Sequence, residues 1–316
     1  MKILVTGGAG FIGSRMVGRL LDAGDEVHVV DDFSLGRRVN LAQHAGNKRL
    51  TVTEMDILTP AFAELVVTLK PQRVFHMAAN SDIQAGTKDT RTDLHKTFLT
   101  TFHVLDAMRR AESKEVVFAS TSAIYGEADG QLREEHGPLQ PISLYGASKL
   151  ASEAYLSAYS HLFNMRAWVF RFPNVVGPNL THGAVYDFVR RLHRDKKKLS
   201  VLGNGTQLKP YLHVDDLLDA IFTGVSHPAN PLAVYNVAGE GATTVREIAE
   251  MVRATLGFQD AVIEYGSGDR GWPGDVPKFA YDTSRIRALG WKPRMNSNQA
   301  VQAAVTAEVE ACRRSS

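Results

Sequence analysis

Short apolar segments alternate with amphipathic ones along the first half of the chain. Segments of strand length, most of them rich in Val, Ile, Leu and Phe, cover residues 3–5, 26–30, 50–54, 74–77, 115–119 and 167–171. Such runs are typical of strands buried on both faces of a parallel sheet. Between them, mostly apolar side chains recur at helical spacing, as at positions 94, 98, 101, 105 and 108. The alternation predicts an α/β fold with a doubly wound parallel sheet.

Two regions are expected along the chain. Residues 1–171 are predicted to form the sheet domain and residues 172–316 mainly a smaller lobe, with part of 211–237 returning to the first domain. In the lobe, Val185, Phe188, Val189 and Leu192 repeat at helical spacing. Thr244 and Glu247 have the spacing of a capping box, which predicts a helix that begins there and ends near Gly257.

Composition narrows the classes of function. The chain has 316 residues, of which 44% are hydrophobic, and its 36 Lys and Arg nearly balance 34 Asp and Glu. Neither a nucleic-acid partner nor a membrane is expected, because there is no basic excess and no apolar run approaches the ~20 residues that span a bilayer. The one cysteine, Cys312, excludes an intrachain disulfide and a multi-cysteine metal site. A cytoplasmic protein without a metal centre is expected.

The turn after the first predicted strand carries three glycines, Gly7, Gly10 and Gly13, and a helix is predicted to follow directly. The N–H groups at the start of that helix, with the positive end of its dipole, would bind an anion over the turn. Gly7 permits the tight turn, Gly10 lets the backbone approach a pyrophosphate, and Gly13 allows close packing of helix on strand. This setting predicts a dinucleotide site that includes Phe11 and Ile12.

Residues at the ends of later strands extend this site. Asp31 follows Gly13 by 18 residues, close to the separation of about 20 expected of a carboxylate that binds the adenosine ribose. Its charge would repel a 2′-phosphate, which favours NAD. Arg37 or Arg38 could accept that phosphate, so NADP stays open. Further cofactor contacts are predicted at Asp32, Asp56, Ile57, Ala78 and Ala79.

Hydroxyl side chains cluster where the fifth strand ends, at Ser120, Thr121 and Ser122. Open α/β sheets bind ligands at this edge, and Ser120 is expected to contact the cofactor. Further on, Tyr145 and Lys149 lie four residues apart at the start of a predicted helix, so they share one face. A free tyrosine has a pKa near ~10, but a neighbouring ammonium and a cationic nicotinamide ring would favour its phenolate. Tyr145 is therefore predicted to accept a proton.

The segments 6–13, 120–126 and 145–149 resemble those of extended short-chain dehydrogenases/reductases. Nearly the whole chain is similar to nucleotide-sugar epimerases of the UDP-glucose (UDP-galactose) 4-epimerase type. The resemblance implies NAD-dependent inversion of a nucleotide sugar, a UDP-hexose in the first instance, at C4 through a transient 4-keto intermediate. Bound NAD would take the hydride while Tyr145 takes the hydroxyl proton. Thr121 would hydrogen-bond the same oxygen, and Lys149 would hold the nicotinamide ribose and lower the pKa of Tyr145.

The resemblance also implies further contacts. Phe172 would lie by the nicotinamide, and a homodimer would form through helices expected at 92–111 and 144–163. Contacts to the nucleotide sugar are implied for Thr121, Ser122, Tyr145, Asn174, Lys209, Tyr211 and Arg270. The chain departs from the usual pattern at Thr97, which replaces an asparagine, at Pro173, which replaces an aromatic residue, at Lys209, which replaces an arginine, and in the spacing between Arg270 and Gly274.

Other outcomes share the same first oxidation. A 4,6-dehydratase of this type carries Asp-Glu directly after the threonine, and Ser122-Ala123 here disfavours it. A UDP-glucuronate 4-epimerase, a decarboxylase and a reductase stay open. A non-catalytic NAD(P)-sensing protein is less favoured, since such proteins usually lose the tyrosine and lysine.

Overall fold

The computed structural model describes residues 1–128, 130–271, 276 and 279–315. Its strands in chain order are β1 (Lys2–Thr6), β2 (Glu26–Asp31), β3 (Leu50–Glu54), β4 (Arg73–His76), β5 (Glu115–Thr121), β6 (Gln131–Leu132), β7 (Arg166–Phe172), β8 (Asn174–Val176), β9 (Lys198–Val201), β10 (Leu208–Lys209), β11 (Tyr211–His213), β12 (Leu232–Asn236), β13 (Thr243–Thr244), β14 (Val262–Tyr265) and β15 (Ala280–Tyr281). Its α-helices are α1 (Phe11–Asp22), α2 (Pro60–Leu69), α3 (Ala85–Lys88), α4 (Arg91–Asp93), α5 (Thr100–Arg110), α6 (Leu144–Leu162), α7 (Ala184–Asp195), α8 (Val214–Val225), α9 (Val245–Leu256), α10 (Ser284–Ala288) and α11 (Ser297–Ser315). Short 3-10 helices cover Arg38–His44 and Ser122–Tyr125, and a π-helix covers Leu94–Leu99.

The chain divides into two compact units. The first consists of Met1–Gly126, Pro138–Arg171 and Gly224–Tyr235. The second consists of Glu127–Gly137, Phe172–Thr223 and Asn236–Ser316. Each unit is therefore assembled from segments that are distant in sequence.

The first unit is built on a sheet with the strand order β12-β7-β5-β4-β1-β2-β3. Strand β1 pairs in parallel with β2 and β4, β2 with β3, and β4 with β5. The chain thus moves outward from β1 in one direction and, from β4, in the other. This confirms the predicted doubly wound α/β fold, and it places the switch point, where such sheets bind ligands, between β1 and β4.

Burial explains why the short apolar runs form the inner strands. Ile3, Leu4 and Val5 are at most 1% exposed, as are Val74 and Phe75 of the neighbouring strand. Side chains on both faces of these strands are covered because helices pack on both sides of a doubly wound sheet. The predicted strands therefore agree with the observed ones to within one or two residues at each end.

The helix expected at 92–111 is interrupted. Helix α4 ends at Asp93, a π-helix follows over Leu94–Leu99, and α5 begins at Thr100. Threonine hydroxyls compete for the carbonyls at this point, since Thr101 Oγ1 donates to the Thr97 carbonyl at 2.8 Å and Thr100 Oγ1 to the same carbonyl at 3.0 Å. Single π-turns of this kind are often found beside functional sites.

In the second unit, helices α7, α9 and α11 pack on one another. The predicted stripe of α7 is buried at Val185, Phe188, Val189 and Leu192. Helix α9 begins with both hydrogen bonds of the capping box between Thr244 and Glu247, and Gly257 ends it at a φ of +79°. Within the described residues, no helix has the length and apolar character needed to cross a membrane.

Candidate active site

The glycine turn joins β1 to α1 at the switch point of the sheet. Gly7 has a φ of +69°, and a Cβ there would lie 2.6 Å from the Ala78 nitrogen, so the turn rests against the end of β4. A Cβ at Gly13 would lie 2.1 Å from the Gly7 carbonyl oxygen. Helix α1 starts after Gly10 with no side chain capping it. The first N–H groups of α1, which include those of Phe11 and Ile12, are therefore available for a phosphate, and the residues present fit a dinucleotide.

Asp31 lies beside this turn, at the end of β2. Its side chain is 7% exposed, and its two carboxylate oxygens accept the Ala9 and Phe33 N–H groups at 2.8 and 2.9 Å. Burial raises the pKa of Asp31, and the two backbone hydrogen bonds oppose that rise. The carboxylate thus holds the turn in shape and keeps lone pairs for a ribose hydroxyl. Arg38, one of the two arginines that left NADP open, has its guanidinium carbon 4.2 Å from the centre of the Phe33 ring and pairs with Glu54.

The other predicted cofactor residues differ in accessibility. Asp32 and Asp56 are exposed, and each caps a turn through its own side chain. Ile57 is buried in the core of the first unit, whereas Ala78 and Ala79 are partly buried just after β4. Phe172, at the end of β7, is also partly buried. Ser120 is 1% exposed and its hydroxyl donates to Glu153, and its contact with the cofactor stays a prediction.

Thr121, Tyr145 and Lys149 are brought together in the first unit. Thr121 is the last residue of β5 and is 8% exposed, and its Oγ1 accepts the Ala123 N–H at 3.1 Å. The phenol of Tyr145 hydrogen-bonds the Thr121 side chain. Lys149 is 2% exposed, and its Nζ lies 5.9 Å from the centre of the Tyr145 ring. Ser122, also predicted to contact substrate, is partly buried and starts the next 3-10 helix.

The start of α6 fixes the position of this group. Ser143 caps the helix by accepting the Gly146 N–H at 3.1 Å. Gly146 itself touches the loop after β5, since a Cβ there would lie 2.4 Å from the Ala123 carbonyl oxygen. Lys149 Nζ donates to the Ala119 carbonyl of β5 at 2.6 Å. Helix and strand are thus joined on both sides of Tyr145.

Burial dominates the electrostatics of this pair. It raises the pKa of the Tyr145 phenol, with a further rise from Asp93, and the hydrogen bond to Thr121 only partly opposes it. Burial also lowers the pKa of Lys149 to about 7, although Glu153 and Asp93 counteract it. Without a cofactor, Tyr145 therefore shifts in the direction opposite to the one expected from sequence. A buried phenol loses solvation on ionisation, and the hydrogen bond with Thr121 returns less than burial removes.

Two buried networks behind the site were missed from the sequence. Glu153 and Arg171 form an ion pair at 2.6 Å, and Arg171 also donates to the Tyr125 phenol at 2.9 Å. Glu153 follows Lys149 by four residues, so helical spacing could have revealed it. In the second network, the Asn80 N–H donates to Thr97 Oγ1 at 3.2 Å. The threonine at the unusual position thus holds the segment that follows β4.

The residues implied for the sugar nucleotide that follow β7 lie in the second unit. Asn174 is exposed and pairs in register with Tyr211, whose side chain is 5% exposed. Lys209 is partly buried in β10, and Arg270 forms an ion pair with Glu127. Residues 272–275 of the segment that follows Arg270 lie outside the described residues. No group of His, Cys, Asp and Glu in the described part of the chain is arranged to hold a metal ion.

Known proteins of one family are similar to this chain over most of its length. Residues 3–238 match the family model described as "NAD dependent epimerase/dehydratase family". The UDP-glucose 4-epimerase of Mycolicibacterium smegmatis is 31% identical over 303 residues, which is 93% of this chain and 94% of the relative. A crystal structure of a UDP-galactose 4-epimerase is 34% identical with a TM-score of 0.87, covering 98% of this chain and 99% of the other.

A solved dehydratase is also similar. The dTDP-glucose 4,6-dehydratase from Streptomyces venezuelae, crystallised with NAD, is 28% identical with a TM-score of 0.88, covering 98% of this chain and 97% of the other. NAD, which Asp31 favoured, is confirmed as the cofactor. The comparisons and the fold together show that this chain belongs to the NAD dependent epimerase/dehydratase family and is an enzyme acting on nucleotide sugars.

Proposed function

We propose that the chain epimerises a nucleotide sugar at C4, of the UDP-glucose/UDP-galactose type, through a transient 4-keto intermediate. The observation that carries the proposal is the group formed by Thr121, Tyr145 and Lys149 at the carboxyl edge of the sheet. The similarity to UDP-glucose and UDP-galactose 4-epimerases supports it.

In this proposal Tyr145 accepts the proton of the C4 hydroxyl and later returns it. Thr121 hydrogen-bonds the same oxygen and so keeps it directed at the phenol. NAD, when bound by the glycine turn and Asp31, supplies the acceptor and donor of the hydride. Lys149 contributes positive charge, which stabilises the phenolate as the proton moves. The cationic nicotinamide adds to that charge, and together they offset the burial that raises the pKa of the free Tyr145.

The residues after Thr121 favour epimerisation over dehydration. Removing water across C5 and C6 needs an acid and a base, and the dehydratases place Asp-Glu there. Ser122 and Ala123 occupy those positions in this chain, and neither ionises at physiological pH. A uronic acid substrate, decarboxylation and net reduction are separated from C4 epimerisation by their products.

The second unit is proposed to hold the nucleotide part of the substrate. Lys209 and Arg270 would attract the diphosphate, Lys209 as a point charge without the bidentate geometry of an arginine. Asn174 and Tyr211, adjacent across paired strands, would orient the ligand. Strong binding of the nucleotide would leave the 4-keto sugar free to turn its other face toward the returning hydride.

A homodimer is also proposed. Tyr155 of α6 is 41% exposed and packs edge-on against Phe98 and Phe102, with ring centres 5.0 and 6.0 Å apart. Leu94 and Leu162 nearby in sequence are 45% and 74% exposed. An aromatic surface of this kind matches the helices through which the dimer was expected, and a second copy of the chain would cover it.

The test is product analysis. UDP-galactose, UDP-N-acetylgalactosamine and UDP-glucuronate are each incubated with purified protein and NAD, and products are identified by NMR. We expect the C4 epimer with no net NADH. Tyr145→Phe should lower turnover by about 10³-fold or more while NAD binding, followed by calorimetry, is retained. A dehydrated or decarboxylated product, or normal turnover of the variant, would refute the proposal.

A further inference from the structure

Asp93 is a buried acid that the proposed reaction leaves without a role. It ends α4, just before the π-helix, and its side chain is 0% exposed. Its Oδ1 accepts the Asn80 Nδ2 at 2.9 Å. Its Oδ2 is buried and has no hydrogen-bond partner among the described residues. Burying a carboxylate oxygen without a hydrogen bond costs free energy. A nearby positive charge is expected to offset that cost.

Packing brings this carboxylate to the start of α6. A Cβ at Gly86 would lie 2.2 Å from Asp93 Oδ2 and 3.5 Å from the Leu144 Cβ, so the oxygen and the first residue of α6 meet on either side of Gly86. Tyr145 is the next residue of α6. Glycine at position 86 is therefore what allows the acid to approach the helix that carries the catalytic pair.

The other acid near the lysine is already neutralised. Glu153 is paired with Arg171 at 2.6 Å. Asp93 forms no ion pair within the described chain, and Lys149 likewise donates to a backbone carbonyl instead of a carboxylate. Both acids act on Lys149, and Asp93 is the one that no cation in the described chain pairs with.

We propose that Asp93 is a positioning residue for the reaction: its buried carboxylate, unpaired within the described residues, supplies a negative charge at the start of the helix that carries Tyr145 and Lys149. The role in catalysis rests on the proposed function. The carboxylate also accepts a hydrogen bond from Asn80, whose Nδ2 donates to the Asp82 carbonyl as well, so it holds the segment after β4 in place.

The charges around the pair give the direction of the effect. The titratable groups that act on Tyr145 and Lys149 are Asp93 at the end of α4, Glu153 of α6 and His76 of β4. Arg171 of β7 pairs with Glu153 and donates to the Tyr125 phenol. Burial lowers the pKa of His76 to about 3, so it stays neutral. The charge of Asp93 raises the pKa of both Tyr145 and Lys149. Neutralising Asp93 should therefore shift both groups toward lower pH.

The decisive experiment measures Lys149 without cofactor or sugar. Lysine labelled with ¹³C at Cε is followed by NMR between pH 5 and 9, and Lys149→Met assigns the signal that titrates near 7. In Asp93→Asn we expect its midpoint to fall by about one pH unit. Asp82→Asn is the matched control, because Asp82 is an exposed acid whose charge acts on Asp93, and it should leave the midpoint nearly unchanged.

The proposal is overturned if Asp93→Asn leaves the midpoint where it was, raises it, or shifts it no more than Asp82→Asn does. Asp93→Ser makes the same test if the asparagine variant does not fold, as judged by circular dichroism. For active protein, the whole pH profile of turnover should move to lower pH in Asp93→Asn, whereas a purely structural defect would lower it without moving it. Since the NMR titration needs no substrate, its outcome is independent of whether the wild type epimerises UDP-galactose.

Discussion

Replacing Glu153 with Gln is expected to destabilise the first unit by about 3–5 kcal/mol, because it leaves a buried guanidinium without its counter-charge. Arg171 is 6% exposed and Glu153 7%. Arg171 donates to the two carboxylate oxygens at 2.6, 3.1 and 3.2 Å. A guanidinium is not deprotonated in proteins, so Arg171 cannot escape the loss of its partner by giving up a proton. Glutamine keeps the volume of Glu153 and one hydrogen-bond acceptor, so the variant measures the effect of removing the negative charge alone.

An exposed pair in the same unit supplies the control. The Arg38 and Glu54 side chains are 67% and 57% exposed, and Glu54→Gln should change the free energy of unfolding by no more than about 1 kcal/mol. The double variant Glu153→Gln with Arg171→Met removes both charges and should recover much of the loss. Urea unfolding is followed by the fluorescence of Trp168, which is 2% exposed in this unit. Equal losses for Glu153→Gln and Glu54→Gln, or no recovery in the double variant, would refute the reasoning.

The remaining predictions concern pH and assembly. Burial and the Lys149 charge lower the pKa of His76 to about 3, whereas the unfolded histidine takes up a proton below about 6.5. The free energy of unfolding should therefore fall as the pH drops from 6.5 toward 4, with His76 contributing about 1.4 kcal/mol per pH unit. In urea unfolding, His76→Asn should flatten this dependence on pH. An unchanged slope in the variant would contradict the assignment to His76. Tyr155→Glu should convert a dimer into a 34.7 kDa monomer by light scattering, while Val262→Glu, at a strand position 58% exposed, should not; a wild type that is already monomeric would rule out the dimer.

Local sequence was sufficient for the sheet and its first turn. Ile3, Leu4 and Val5 form a strand because their apolar side chains must be covered on both faces. Gly7 and Gly13 were recognisable from their spacing between a strand and a helix. The contact that forbids a side chain at Gly13 lies within the turn, whereas the one at Gly7 comes from Ala78 and was not visible in the sequence. The capping box at Thr244 was also recognisable from spacing, because its two partners are three residues apart. Patterns of this kind involve residues close together in the sequence, so they can be recognised before the fold is known.

The hydrogen bonds and pKa values of the buried polar groups depended on residues that are far away in sequence. Packing joins the Ser120 hydroxyl to Glu153, 33 residues later, and this partner was not predicted from the sequence. Burial, a property of the whole fold, decided that the pKa of Tyr145 is raised instead of lowered.

The sequence by itself determined the parallel sheet and the glycine turn, and it located the residues of the candidate site, because each depends on side-chain periodicity or on spacing along the chain. The tertiary structure alone decided which charges surround those residues, as with Asp93, which reaches α6 only because Gly86 lets it approach. The free energy of a charge depends on its solvation and on every neighbour in space, and spacing along the chain carries little of that information.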